Sequence, residues 1–148
     1  MNTDEGIKGF FGKYHFMSNF HKHEPITYDG MAAKTVEHIF QAVKTLDQGS
    51  RKIVIQADGP GEAKKLGQKV PLRSDWENVK VDIMLDILRV KFKIPRLRKK
   101  LLDTGDSYLE ETNDWGDHFW GANKKGYGKN WLGKCLMKLR DEIRGEMR

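Results

Sequence analysis

At 148 residues the chain has the usual size of one domain, long enough to bury a single core and too short for two. Its 38% hydrophobic and 32% charged content is that of a globular protein, no apolar run approaches the ~20 residues of a membrane span, and an N-terminus with Asp4 and Glu5 but no apolar stretch is not a secretory signal, so a cytoplasmic location is expected. A net charge of +6 favours an anionic partner, and the single cysteine, Cys135, excludes an internal disulfide and fits a reducing compartment.

Ile26-Thr27-Tyr28 and Met31-Ala32-Ala33 flank Asp29-Gly30, a pair suited to positive φ, which predicts a two-stranded hairpin. After Thr35, a suitable N-cap, Val36, Ile39, Phe40, Val43 and Leu46 recur at three- and four-residue steps and predict a helix. Ser50 is placed to cap a short helix through Ile53, Val54 and Ala57, and Gly59-Pro60 sets proline at the first position of another that ends near Gly67. Ser74-Asp75-Trp76-Glu77 matches a capping box, in which serine and glutamate satisfy free amides reciprocally; Val79, Ile83, Ile87 and Val90 then carry a helix to about Phe92. Pro95 opens the next, with Leu97, Leu101 and Leu102, and Thr104-Gly105 stops it.

Leu132, Cys135, Leu136, Leu139 and Ile143 mark the last helix, with Asn130 as its expected cap and Cys135 on its apolar face, a core position rather than a nucleophile's. Residues 113–130 include Gly116, Gly121, Gly126 and Gly128. So long a connection is functional or disordered, and Trp115 and Trp120 argue against disorder. The pattern as a whole is mainly α, with a small β-hairpin near the N-terminus.

On the helix after Thr35, Glu37, Gln41 and Lys44 are spaced four and three apart and share one stripe beside the apolar face. In the first turn the helix dipole favours an ionised Glu37, a suitable anion for stabilising a developing cation. From this helix alone, a solvated stripe is the plainer reading. Arg73 precedes a helix start, where a guanidinium and free amides suit phosphate, and Trp76 is placed either to cover a flat base or to pack in the core. Asp117, between Trp115 and Trp120, is set either for desolvation and proton handling or for capping a turn. His21, His23 and Glu37-His38 match no metal-ligand spacing, and Gly126-Tyr127-Gly128 lacks the context of a nucleotide loop, so no metal or cofactor is expected.

The chain resembles the NADAR, or YbiA-like, family. The resemblance runs through Phe10-Phe11-Gly12, Ser18-Asn19-Phe20, Thr35 to His38, Phe40-Gln41-Ala42 and Lys44. It continues in Ala63-Lys64, Leu66-Gly67, Leu72-Arg73, Asp75-Trp76, Met84, Lys91-Phe92, Thr104-Gly105-Asp106, Asp117, Trp120-Gly121, Asn130, Leu132-Gly133 and Leu136-Met137, in order from about Phe10 to Arg140. Two departures are Gln68, where arginine is common, which weakens a phosphate role there, and Met17 for the usual leucine, a packing change.

The resemblance implies a compact helical single domain that hydrolyses a ribosyl C–N bond, in phosphorylated ribosylaminopyrimidine intermediates of riboflavin biosynthesis or, alternatively, in ADP-ribosylated guanine of nucleic acid. Glu37, Asp117 and Trp76 are the implied catalytic set, and Asn19, Gln41, Lys44, Arg73 and Trp120 the implied substrate-binding set. Breaking such a bond develops oxocarbenium character, so one carboxylate stabilises charge while another group handles the proton or orients water. Glu37 is assigned the first role and Asp117 the second, an assignment that can be exchanged. Trp76 would cover the base, while Lys44 and Arg73 hold phosphate. A non-catalytic module binding ADP-ribose or nucleic acid is the reading from another class; two carboxylates beside an anionic ligand argue against it.

Overall fold

A computed structural model of the chain describes residues 6–148; Asp4 and Glu5, on which the reading of the N-terminus rests, lie outside them. In chain order the elements are β1 (Ile7–Lys8), a 3-10 helix (Gly12–Met17), β2 (Ile26–Tyr28), β3 (Met31–Ala33), α1 (Val36–Val43), α2 (Gln48–Ile55), α3 (Pro60–Gly67), α4 (Trp76–Lys91), α5 (Pro95–Asp103), β4 (Leu109–Glu110) and α6 (Trp131–Glu146). The fold is mainly α, as expected. Contacts gather it into two compact units, one of Asn19–Lys91 and one of the described residues through Ser18 with Phe92–Arg148. No helix among the described residues is long and apolar enough to cross a membrane.

The unit Asn19–Lys91 opens with the predicted hairpin. Ile26 pairs with Ala33 and Tyr28 with Met31 in antiparallel register. Asp29 and Gly30 turn it at φ 51° and 78°, the left-handed pair that a tight two-residue turn needs. Thr35 caps α1 as expected, its hydroxyl accepting from His38 N at 3.1 Å. The same hydroxyl lies 2.7 Å from His38 Nδ1, and Nε2 lies 3.0 Å from Ala57 O. His38 is thereby a structural tie between α1 and the chain after α2.

Every residue of α1 is buried, because α2, α3, α4 and β3 all pack on it. The helix does not run on through Leu46. It ends at Val43 and Leu46 is 60% exposed. Arg73 accounts for the early stop: its backbone N donates to Lys44 O at 2.8 Å and its Nη1 to Val43 O at 3.3 Å, satisfying carbonyls that another turn would have used.

Two other helix starts differ from expectation. Asp47, not Ser50, caps α2, with Asp47 Oδ2 accepting from Ser50 N at 2.9 Å and Ser50 Oγ at 2.7 Å. The capping box before α4 does not form. Glu77 instead accepts from Lys80 Nζ at 2.6 Å, and Asp75 takes a two-point bond from Arg73 at 2.7 and 3.2 Å. Stronger charged partners thus displaced the local one. Pro60 sits at the first position of α3, as the sequence indicated.

In the other unit β1 and β4 pair in parallel, Ile7 with Leu109 and Lys8 with Glu110. Strands of two residues show no alternation, so nothing in the sequence announced them. Phe92, Leu97, Leu101, Leu109, Leu132, Leu136 and Ile143 form the core, together with Cys135, which is buried as expected. Asn130 holds the N-cap position of α6, but its side chain makes no cap bond there. It sits in the left-handed region at φ 52° and turns its side chain to β4: Oδ1 accepts from Glu111 N at 3.0 Å, while Nδ2 donates to Leu109 O at 2.9 Å and Tyr108 Oη at 3.2 Å. Gly133, one turn into α6, lies so near Leu109 O and the Asn130 amide that no side chain would fit.

Candidate active site

In the unit Asn19–Lys91 the predicted stripe is not solvated. Glu37 is 6% and Gln41 5% exposed, and Gln41 Nε2 donates to Glu37 Oε2 at 2.7 Å. A buried carboxylate requires such a donor, because desolvation without one would drive it to its neutral form. Glu37 N donates to Asn19 O at 3.1 Å, which brings Asn19 to the start of α1. The Asn19 amide donates from Nδ2 to Met84 Sδ at 3.7 Å. Asn19 Oδ1 and Gln41 Oε1 are buried without hydrogen-bond partners among the described residues. An unmade bond of this kind costs about 1–3 kcal/mol, and arrangements that carry such a cost gather at functional sites.

Lys44 follows one turn later. Burial pushes its amine below the usual lysine value; the Glu37 carboxylate acts in the opposite direction, and the nearby Lys64 of α3 and Lys80 of α4 lower it further. A carboxylate and three ammonium groups therefore share one neighbourhood. Trp76 packs on Phe40, centroids 5.1 Å apart at 51°, and is itself buried. Arg73 commits three of its five N–H donors, two to Asp75 and one to Val43 O, which leaves two for an anion.

A cleft of about 450 Å³ is lined by Tyr28, Asp29, Val43, Arg73, Val79, Asp82 and Ile83. It includes none of Glu37, Gln41 and Lys44, and its two aspartates suit an anion poorly. The chemistry is concentrated on the Glu37 stripe instead.

In the other unit Asp117 is half-buried and its Oδ1 accepts from Phe119 N at 3.2 Å and Trp120 N at 2.9 Å. This is the turn-capping role that the sequence allowed. Asn113 secures the same turn, accepting from Asp117 N at 3.1 Å and donating to Asp117 O at 2.9 Å. Trp120 is half-buried, edge-on to Phe119 with centroids 4.9 Å apart. Trp115, by contrast, is 59% exposed and does not pack into the core. Among the described residues no group of three or more His, Cys, Asp or Glu side chains is arranged to hold a metal ion.

The NADAR domain model matches residues 5–144, across both units. The chain belongs to the NADAR family. Among its NADAR relatives, N-glycosidase YbiA of Escherichia coli (strain K12) is 40% identical over 122 residues, 80% of this chain and 76% of that protein. The NMR structure of E. coli YbiA matches with a TM-score of 0.84 at 34% identity, covering 99% of this chain and 95% of that one. A riboflavin biosynthesis protein of Vibrio vulnificus is 35% identical over 131 residues, 86% of this chain but 35% of that protein.

Residue-by-residue reasoning on the sequence missed Lys64, Lys80 and Gly67 as neighbours of the stripe. Lys64 and Gly67 lie within the matched NADAR motifs, a signal that could have found them. Lys80 has none, since three residues beyond Glu77 it looks like half of an ordinary surface pair.

Proposed function

We propose that this NADAR protein hydrolyses the ribosyl C–N bond of a phosphorylated ribosylaminopyrimidine intermediate of riboflavin biosynthesis, in the cytoplasm, with Glu37, Asp117 and Trp76 acting on the bond. That it is a hydrolase of N-glycosyl bonds follows from its family and from its identity to proteins named N-glycosidases; the substrate and the residue roles are the proposal. In this reading residues 1–148 act as a single NADAR domain.

The observation that carries the reading is the buried Glu37 carboxylate, held by Gln41 beside the Lys44 amine. As the C–N bond lengthens, positive charge grows on the anomeric carbon and the ring oxygen. A fixed anion in a dry setting stabilises that charge more than it does the neutral ground state. Asp117 takes a proton from the attacking water, whose oxygen bonds to the anomeric carbon as the C–N bond breaks, and that proton passes to the departing nitrogen, which leaves as the free amine. Lys44 holds the 5-phosphate with Lys64 and Lys80 adding positive charge, and Arg73 offers its two remaining donors. Asn19, Gln41 and Trp120 position the sugar and base, and Trp76 covers the base from its seat on Phe40.

The test is release of free amine from two substrates in parallel, read by mass spectrometry: a ribosylaminopyrimidine 5′-phosphate and an oligonucleotide ADP-ribosylated on guanine. Cleavage of the first is expected, with a loss of roughly 10²–10³-fold in Glu37→Gln. Cleavage of the oligonucleotide alone would move the assignment to ADP-ribosyl guanine, the alternative that the +6 charge favours. If neither is cleaved while both bind, the protein is a binding module.

A further inference from the structure

Gly67 ends α3 against the side chain of Gln41. Its φ lies outside the left-handed region, so the backbone does not ask for glycine there; space does. A Cβ on Gly67 would run into Gln41 Oε1 and would stand 2.8 Å from Gln41 Cβ and 2.9 Å from Cδ. Swinging the end of the Gln41 side chain away would relieve only the first of these contacts, because Cβ is fixed to α1. Ala63, one turn earlier on the same face of α3, is also fully buried. The missing side chain of Gly67 thus lets the backbone of α3 close on the Gln41 side chain.

That contact leaves the Gln41 amide one orientation. Oε1 lies toward Gly67 with no hydrogen-bond partner among the described residues, and Nε2 donates to Glu37 at 2.7 Å. Flipping the amide would set a carbonyl oxygen against a carboxylate, with repulsion in place of a charge-assisted bond. One of the two N–H donors of the Gln41 amide is therefore committed to Glu37, and a donor held on a carboxylate both orients it and stabilises its ionised form.

We propose that Gly67 is a positioning residue for the reaction: by confining Gln41 to one orientation, it fixes Glu37 as an aimed anion for the bond-breaking step. The proposal rests on the reading of Glu37 as the charge-stabilising carboxylate. Gly67 touches no reacting atom and acts through Gln41.

The experiment compares kcat and KM of Gly67→Ala, Gln41→Gly, the double variant and Glu37→Gln on whichever of the two substrates above is cleaved, with folding followed by circular dichroism. Gly67→Ala is expected to lower kcat roughly 10- to 100-fold, the scale of an ångström-sized misplacement, with KM changed less than about twofold. In the Gln41→Gly background, which also removes the Cβ that a side chain on residue 67 would meet, the same substitution should lower kcat no further. An unchanged kcat in Gly67→Ala overturns the proposal. So does an equal loss in both backgrounds, which would mean that Gly67 acts by a route other than Gln41. If Gly67→Ala alone does not fold, the double variant decides: folding with the kcat of Gln41→Gly supports the proposal, and failure to fold where Gln41→Gly alone folds overturns it. Full turnover in Glu37→Gln would instead remove the underlying reading of Glu37, an outcome distinct from failure of the positioning role.

Discussion

Replacing Asn130 by alanine should destabilise the protein by about 4 kcal/mol. The side chain makes three hydrogen bonds, to Glu111 N, Leu109 O and Tyr108 Oη. It is almost wholly buried, so water does not replace those partners; at about 1 kcal/mol net each they contribute about 3 kcal/mol. The backbone at φ 52° adds about 1 kcal/mol, since alanine tolerates the left-handed region less well than asparagine does. For a domain whose stability lies in the range of about 5–15 kcal/mol this is a large share. In urea, with a slope near 2 kcal/mol/M, the midpoint should fall by about 2 M. Asn130→Gly separates the two contributions: it removes the bonds but suits the backbone, and should recover about 1 kcal/mol relative to alanine. An alanine variant within about 1 kcal/mol of the wild type would refute the reasoning, because a buried three-bond anchor cannot be that cheap to remove.

At Asp117 the conservative and truncating variants should part. Asp117→Asn keeps an oxygen for the Phe119 and Trp120 amides and should fold normally while losing roughly 10²-fold or more in kcat; unchanged turnover of bound substrate with weakened affinity would make Asp117 a binding residue. Asp117→Ala frees both amides and should also lower thermal stability by about 1–2 kcal/mol. For Lys44 the folded pKa lies below the usual 10.5, because burial opposes the charge. Phosphate binding by its ammonium group is therefore full below the lowered value and lost as pH rises through it. The folding penalty of the buried charge runs the other way: it is present below the folded pKa and relieved between that value and the unfolded one. KM for a phosphorylated substrate should accordingly rise on the alkaline side earlier than an ordinary lysine would dictate, and Lys44→Arg should hold it level; a wild-type KM that stays flat through the alkaline range contradicts the assignment. Thr35→Ala removes the cap of α1 and one partner of His38 and should cost about 1–2 kcal/mol by thermal melting; an unchanged melting temperature would show that the cap contributes nothing.

What the sequence determined by itself is what neighbours along the chain decide. Asp29-Gly30 set the hairpin, Thr35 the start of α1, Pro60 that of α3 and Thr104-Gly105 the end of α5, each through its own backbone preferences or a partner within four residues. The spacing of Glu37, Gln41 and Lys44 likewise put them on one stripe, and NADAR motifs marked them as more than surface. Only the tertiary structure showed that the stripe is buried, that α1 stops at Val43 because Arg73 takes its carbonyls, and that the Asn130 side chain serves β4 rather than α6. The failed capping box makes the same point: Ser74 and Glu77 carry the right pattern, but Lys80 and Arg73 bind the acidic groups more strongly. Gly67 is the extreme case. Nothing in its own backbone requires glycine, and its meaning comes from Gln41, far away along the chain. Local preferences act within a turn and can be read from spacing; burial, charge competition and close backbone approach depend on residues that only folding brings together.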